Sequence, residues 1–554
     1  MRSVSRERIA WCVLAAAFLV YAVGTLYLTR DTIPTYDSLD WLAQGADGFE
    51  PRSLLEPHNA HLIAVTRVMY ATGVTLFGSG IVFAQVCLIV AMTVTATLVF
   101  IIAKRKLDPL LALVPALLML FLGTTTVPID PNVAVFAQSA AFGLGALLAL
   151  QRGTRAFDAL ACLLLVAGVL AFSAGVPFVV GAGVMLLCRD DWLRRSWIVI
   201  VPGALYVAWY LWAGSEFGDD ALHPFGSTSS VAGLLVLMNF TMDTVAAGLA
   251  AFSGLTYDFA GDTQTYIPAE FGRVLAIAAV VGLVVLWRRG SRSQLAAACA
   301  GVLIAFCVVG AYNGNAFRGP QSNRYAFLAA VLVVLVLIEM LPQMSWKRPV
   351  WLGAGVLLIV GLATNVGALR DAGATLRENS ADMKTRLAVL ELERDHVDPE
   401  DQADTDFRIL GTKAGSYLAL VDSNGSIAYS ASELPGLDES RRELADQNLL
   451  RILGPVPGSY EGPRPEDCER VDPVAGVVTT ELAPGGVVIY GGEESDVELR
   501  RFSDVPLGVG ALPADGPALI AIPTDASPQP WVATFPSAKP VEICAAPAAE
   551  EQGA

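Results

Sequence analysis

Two aspartates, two histidines and one arginine stand where they could do chemistry. Asp37 and Asp40 lie three apart in Thr35-Tyr36-Asp37-Ser38-Leu39-Asp40-Trp41. That spacing puts both carboxylates on one face of a helical turn. A carboxylate near apolar walls can act as general base for a hydroxyl nucleophile, and an acid pair can hold a divalent cation such as Mg2+ or Mn2+. Solvated loop acids and a helix cap would use the same residue types. His58 and His61 follow in Leu55-Glu56-Pro57-His58-Asn59-Ala60-His61, again three apart, and are two of only four histidines in the chain. On a helical turn they too would share a face. Far downstream, Phe317-Arg318-Gly319-Pro320-Gln321-Ser322-Asn323-Arg324-Tyr325 places Arg324 where an apolar run begins. A guanidinium there suits bidentate binding of a phosphate. It equally suits an interfacial anchor beside Tyr325. The loop Thr124–Asn132 with Asp130, and Gly218-Asp219-Asp220 with His223, complete the polar set. His223 reads as an ordinary loop residue.

The elements that must position these groups are apolar. The chain has 554 residues, 54% hydrophobic and 16% charged, with mean hydropathy +0.53. Soluble domains carry about 25% charged residues, so lipid is the solvent for much of this chain. A net charge of −16 without a basic stripe argues against nucleic-acid binding. The composition also excludes a disordered scaffold, a disulfide-knotted mini-protein and a coiled-coil filament. The negative charge is localised: 33 acidic and 15 basic residues lie from Leu369 onward, against 20 and 22 before it. The expected organisation is a multi-span membrane domain over 1–368, a helical stalk over 369–398 and a soluble domain over 399–554. Outer loops at 29–80, 214–272 and 313–324 would carry the functional groups.

Apolar runs of spanning length begin near Ile9, Ile81, Leu107, Val133, Phe157, Trp197, Arg273, Leu295, Tyr325 and Val350. The run from Phe157 to Cys188 divides at Ser173-Ala174-Gly175, with Pro177 close behind, giving about eleven spans. Six basic clusters, around Arg6, Lys104, Arg155, Arg195, Arg289 and Lys347, fall on one side if two stretches do not cross. One is Leu62–Gly80, which carries Arg67 and reads as an amphipathic interfacial helix. The other is Val231–Gly254, expected to be re-entrant or interfacial. An odd count with a cytoplasmic N-terminus places the tail outside the cell.

The cytoplasmic loops contain no GxxxxGK[ST] and no strand–GxGxxG–helix pattern, which argues against a nucleotide-driven pump or a dinucleotide enzyme. The spans carry almost no ionisable residues, unlike those of a secondary transporter. A lipid-linked glycan flippase and a non-enzymatic envelope-assembly scaffold nevertheless remain as alternatives to an enzyme.

A basic signal-anchor span, an acid pair in the first outer loop, an amphipathic helix, many short spans and a soluble outer domain together resemble the GT-C class of integral-membrane glycosyltransferases. Asp37–Gly78 looks like the first loop of bacterial members, and Ser322-Asn323-Arg324-Tyr325 looks like the Arg-Tyr that opens a late span in several. The resemblance covers roughly residues 1–368. It implies a polyprenyl-phosphate sugar donor, an envelope glycan or glycolipid acceptor, and inverting transfer at the outer face of a bacterial plasma membrane. Asp37 or Asp40 would be the base, and Arg324 would bind phosphate with Arg318 and Tyr325 nearby. His58 and His61 would line the acceptor or phosphate site. The family's acids are often adjacent, whereas Ser38-Leu39 separates them here, so the choice of base and a shared metal stay open.

In the tail, Leu369, Leu376, Met383 and Leu390 recur every seven residues, as on a helix. Tyr417–Val421 and Ile427–Ser430 around Ser423-Asn424-Gly425 read as a β-hairpin, and Asp438–Leu453 as an amphipathic helix. From Val477 to Ile543, short β-rich runs alternate with Gly/Pro turns, as in a sandwich. The fold class is thus an α-helical polytopic membrane protein with a C-terminal extracytoplasmic α+β or β-sandwich-like domain. Trp531 reads as a core residue rather than a sugar platform. Six cysteines lie in apolar runs; Cys468 and Cys544 are the two left in the tail, and outside the cytosol they should pair.

Overall fold

The structure is a computed structural model. It describes residues 2–35, 37–46, 50–78, 80–218, 222, 234–256, 267, 270–312, 319–342, 348–401, 412–514, 516–525, 527 and 529–546. The chain divides into two units: Met1–Pro34 with Gln44–Arg377, and Thr35–Ala43 with Glu378–Ala554.

The first unit is helical. Among the described residues, nine helices are long and apolar enough to cross a membrane. In chain order the helices are α1 (Arg2–Leu28), α2 (Asp37–Ala46, shared with the second unit), α3 (Pro51–Leu55), α4 (Ala64–Phe77), α5 (Gly80–Ala103), α6 (Pro109–Leu120), α7 (Ala134–Arg152) and α8 (Arg155–Ala171). They continue with α9 (Val176–Leu187), α10 (Trp192–Arg195), α11 (Trp197–Phe217), α12 (Leu234–Ser253), α13 (Glu270–Arg288), α14 (Gln294–Tyr312), α15 (Asn323–Met340) and α16 (Arg348–Leu392). Eight of the eleven expected spans are among those nine; the other three fall on α6, α8 and α9, which are 12, 17 and 12 residues long, and the ninth long apolar helix is α12.

The basic loops are pinned by ion pairs. Lys104 reaches Glu7 at 2.8 Å and Arg6 reaches Asp108 at 2.9 Å. Arg195, buried, grips Asp158 on α8 and the Leu150 carbonyl on α7. Asp108 also accepts from the Leu110 N–H, capping α6 ahead of Pro109. Small residues bring the helices close: a Cβ on Gly181 would sit 2.7 Å from the Ala298 carbonyl oxygen on α14.

α12 is one continuous helix, not a re-entrant hairpin. Its length and apolarity would allow a crossing. Gly310, near the end of α14, packs on Phe240. Arg273, at the start of α13, binds Asp243. Gly248 packs on Ala326 and Ala330 near the start of α15, and Gly254 on Gly361 of α16. Successive stretches of α12 thus meet α13, α14 and α15 near the ends remote from the basic loops, and α16 within its apolar stretch.

α4 departs from expectation. Its Arg67 is buried at 3% exposure rather than lying on a solvated face, while Leu76 and Phe77 are exposed. The guanidinium donates to Gln44 Oε1 at 2.8 Å and to the carbonyls of Leu54 and Glu56. Those carbonyls, at the end of α3, need donors that no helix supplies, and this outweighs solvation of the charge.

The second unit packs a five-stranded sheet, order β1-β7-β4-β9-β2, and a four-stranded sheet, order β3-β8-β5-β6. The strands are β1 (Gly458–Ser459), β2 (Cys468–Val471), β3 (Val477–Glu481), β4 (Val487–Tyr490), β5 (Asp496–Arg500), β6 (Leu507–Ala511), β7 (Ala518–Ile520), β8 (Val532–Pro536) and β9 (Val541–Ala545), all paired antiparallel. Their core includes Val478, Ile489, Leu499, Phe535, Ile543 and Trp531. Trp531 is 4% exposed, with the Arg501 guanidinium 5.4 Å from its ring centroid. Cys468 stands opposite Cys544 on β2 and β9, and their sulfurs are bonded at 2.07 Å. The expected hairpin at Tyr417–Ser430 is instead a helix, α17 (Ala414–Asn424), ended by Gly425 at φ +89°. Tyr417 and Leu420 are buried three residues apart, the spacing of one helical face. α18 (Glu439–Leu453) is capped by Asp438, which accepts from the Arg441 N–H.

Candidate functional site

The acid pair opens α2. The Thr35 N–H donates to Ser38 Oγ at 3.0 Å, and that hydroxyl donates back to the Thr35 carbonyl at 2.7 Å. Asp37 and Asp40 occupy the first helical turn, both half-buried. Carboxylates there complement the positive end of the helix dipole, and the helix sets them on one face as the spacing implies. They belong to the second unit. The residues gathered below all belong to the first.

His58 and His61 do not sit on a helical turn. Their backbones exchange hydrogen bonds, His58 N–H to His61 O at 3.0 Å and the reverse at 2.9 Å. Asn59 and Ala60 between them have φ of +48° and +70°. This is a two-residue hairpin with both central residues in the left-handed region, where glycine is usual. Ala60 pays roughly 1–2 kcal/mol for its β-carbon there. Pro57 and the missing glycine concealed the turn, but a hydrogen-bonded pair also projects both side chains to one side. The shared face survives by another route. Arg67 braces the approach through the Glu56 carbonyl, and Trp209 of α11 donates to the Leu55 carbonyl at 2.8 Å.

From this hairpin a row of aromatic rings runs to the arginine loop. His61 Nδ1 lies 2.5 Å from Ser173 Oγ, and its ring centroid is 4.4 Å from that of Phe172. Phe172 packs on Phe136 at 5.2 Å, and Phe136 on Tyr325 at 5.9 Å. Phe306 meets Tyr325 edge-on at 5.5 Å, and the Arg324 guanidinium lies 5.7 Å from the Tyr325 centroid. Such ring pairs contribute about 0.5–1.5 kcal/mol each beyond their buried area. Arg324 stands in the first turn of α15; its N–H donates to Asn323 Oδ1 at 2.7 Å, and Asn323 Nδ2 donates to Thr126 Oγ1 at 3.2 Å. The loops at 123–132 and 319–325 therefore meet. Asp130 accepts from the Asn132 N–H of its own turn at 2.9 Å.

The structure thus brings His58, His61, Arg324 and Tyr325 into one ring-lined region of the first unit. Arg318, Asp219, Asp220 and His223 lie outside the described residues. Sequence reasoning missed Ser173, Phe172 and Phe136. Ser173 was visible only as turn chemistry, and pairings between rings so distant in the chain leave no local signal. Among the described residues, no three His, Cys, Asp or Glu side chains converge as a metal site. Asp37 and Asp40 are the pair that would hold a divalent cation, with the remaining ligands coming from water and substrate.

Several solved structures are similar to this chain. ArnT from Cupriavidus metallidurans bound to undecaprenyl phosphate matches at 14% identity and a TM-score of 0.45, over 74% of this chain and 84% of that one. The archaeal oligosaccharyltransferase AglB from Archaeoglobus fulgidus, in complex with an inhibitory peptide and a dolichol-phosphate, matches at 12% identity and a TM-score of 0.42, over 79% of this chain and 68% of that one. No protein-family model and no curated protein sequence matches the chain.

Proposed function

We propose that the chain is a membrane glycosyltransferase moving a sugar from a polyprenyl-phosphate donor to an envelope glycan or glycolipid at the outer face of a bacterial plasma membrane. The observation that carries this reading is the ring row joining the histidine hairpin to Arg324. It gathers hydrogen-bonding and cationic groups at the bundle end remote from the basic loops. A donor already attached to lipid needs no nucleotide site, in keeping with the absence of phosphate-loop motifs.

In the reaction, the acceptor oxygen attacks the anomeric carbon from the face opposite the phosphate. Asp37 or Asp40 takes the acceptor's hydroxyl proton. The anomeric carbon–oxygen bond breaks with its electron pair going to the lipid phosphate, and configuration inverts. Arg324 offers charge-assisted hydrogen bonds to the departing phosphate, where negative charge develops. A divalent cation held by the acid pair would serve the same end.

The test replaces Asp37 and Asp40 singly with Asn, verifies membrane insertion, and compares envelope glycans with those of a deletion strain. Loss of one glycan component in either variant is expected. Wild-type glycans in both, beside an altered deletion strain, would remove the assignment.

A further inference from the structure

We infer that Thr126 is a positioning residue: its hydroxyl, carried on a strained backbone, orients the Asn323 amide that caps the first turn of α15, and so helps to fix where Arg324 stands. The inference rests on the glycosyl-transfer reading above, in which Arg324 meets the lipid-linked phosphate.

The strain comes first. Thr126 closes the 3-10 turn Gly123–Thr125 at φ +56°. A β-branched residue is a genuine outlier there, whereas glycine would be relaxed. The conformation is held from both sides. The Thr126 N–H donates to the Gly123 carbonyl at 2.9 Å, and the Thr126 carbonyl accepts from the N–H groups of Ile129 at 2.9 Å and Asp130 at 3.1 Å. Backbone strain of this kind persists only where its surroundings over-determine it, and it gathers at functional sites.

The turn is also fastened to the bundle. Asn365 of α16 is fully buried, and its side chain makes the four hydrogen bonds open to an amide. Its Oδ1 accepts from the N–H and the hydroxyl of Thr124 at 3.1 and 2.9 Å. Its Nδ2 donates to the carbonyls of Ala251 on α12 at 3.0 Å and Gly361 on α16 at 2.9 Å. Gly123 presses on the same helix so closely that a Cβ would collide with the Asn365 carbonyl oxygen. The turn that carries the Thr126 hydroxyl therefore has a fixed place against α12 and α16.

What that hydroxyl does follows from Asn323. Ser322, the N-cap of α15, makes no side-chain cap bond. The Arg324 N–H, one of the donors that a helix start leaves open, is taken instead by Asn323 Oδ1 at 2.7 Å. A backbone N–H can only donate, so the amide turns its oxygen to Arg324 and its nitrogen to Thr126 Oγ1, 3.2 Å away. Alanine or glycine at 126 would withdraw that acceptor and free the amide to turn over. Glycine would relieve the backbone as well, yet the chain carries the costlier threonine.

The test uses the full chain in lipid nanodiscs and reads two quantities, the thermal midpoint and the Kd for undecaprenyl phosphate, in Thr126→Ser, Thr126→Ala and Thr126→Gly. Stability should follow the backbone, with glycine melting above alanine. Binding should follow the hydroxyl. Serine should bind like the parent, and alanine and glycine should both bind about tenfold more weakly, the net worth of one hydrogen bond. A residue that merely held the fold would instead give binding in the order of stability. Glycine binding as tightly as the parent, or serine as weakly as alanine, overturns the positioning role. Arg324→Gln separates that failure from failure of the underlying reading. It should weaken binding more than any change at 126, and adding Thr126→Ala to it should cost nothing further. Unchanged binding in Arg324→Gln overturns the placement of phosphate at Arg324, and the positioning role falls with it. A further loss in the double variant overturns the route from Thr126 through Arg324 alone.

Discussion

Arg273 Nε donates to Asp243 at 2.9 Å, tying the first turn of α13 to the middle of α12. Asp243 is 7% exposed while the arginine side chain is half-exposed. One end of the pair is in protein and the other reaches the bundle rim. A helix crossing the bilayer beside α13 would set its middle against the middle of α13, not its start. Cysteine-accessibility labelling of Ser230→Cys and Thr256→Cys in a cysteine-free background should therefore report both positions on the same side. Labelling on opposite sides would reverse this account of α12 and change the parity of the spans.

The second unit is stapled by Cys468–Cys544, residues 76 apart in sequence. Closing a loop of that size stabilises by roughly 4 kcal/mol in the chain-entropy picture. Replacing both cysteines with serine should lower the thermal midpoint of this unit by several degrees and speed its proteolysis. The helical unit should be unaffected. An unchanged midpoint, with the bond verified by mass in the parent protein, would show that the sheets hold β2 and β9 together unaided.

Glu393 supplies a pH dependence with a definite sign. It is fully buried just beyond α16, with His396 Nδ1 3.0 Å from its carboxylate. Asp525 faces it, itself held by Arg501. Burial, followed by the neighbouring Asp525 carboxyl, pushes Glu393 up to about 8, while Arg501 opposes the rise. Unfolded, the same carboxyl titrates near its ordinary 4.5. The folded state therefore holds a proton that the unfolded state releases, and this contribution is complete below pH 4.5. It is lost as pH rises through 8. Denaturation of the second unit should show stability falling across that window, beyond any change in Glu393→Gln, which keeps a neutral donor. A parallel pH dependence in both proteins would remove Glu393 as the cause.

Much of this architecture is legible in composition because lipid and water select residues by their cost of transfer. The excess of acid after Leu369, the apolar runs and the isolated pair Cys468 and Cys544 all follow from that selection. Turn geometry was harder to read. Asn59-Ala60 lacks the glycine that marks a two-residue hairpin, so His58 and His61 read as helical. Ser423-Asn424-Gly425 has the glycine but uses it to end a helix, because Tyr417 and Leu420 bury one helical face. Arg67 looked like a surface charge because the carbonyls it satisfies are made by folding. The contact between Phe136 and Tyr325 is tertiary and invisible to any local window.

The strain at Ala60 gives the sharpest test of the hairpin, since one β-carbon distinguishes it from a relaxed turn. Glycine accepts φ of +70° without steric cost but brings a larger entropy loss on folding. Ala60→Gly should therefore be neutral or stabilising by up to about 1 kcal/mol, the difference between these terms. Ala60→Val adds branching at the same φ and should cost more than the alanine does. It should also disturb the His61–Ser173 hydrogen bond, because the turn can relieve the clash only by moving His61. The comparison is made on the full chain, reading thermal midpoints beside the 15N signal of His61. Glycine should leave that signal in place, and valine should shift or broaden it. If valine is as stable as alanine with His61 unmoved, the chain at residue 60 does not hold a left-handed conformation, and the two histidines are not paired across a hairpin.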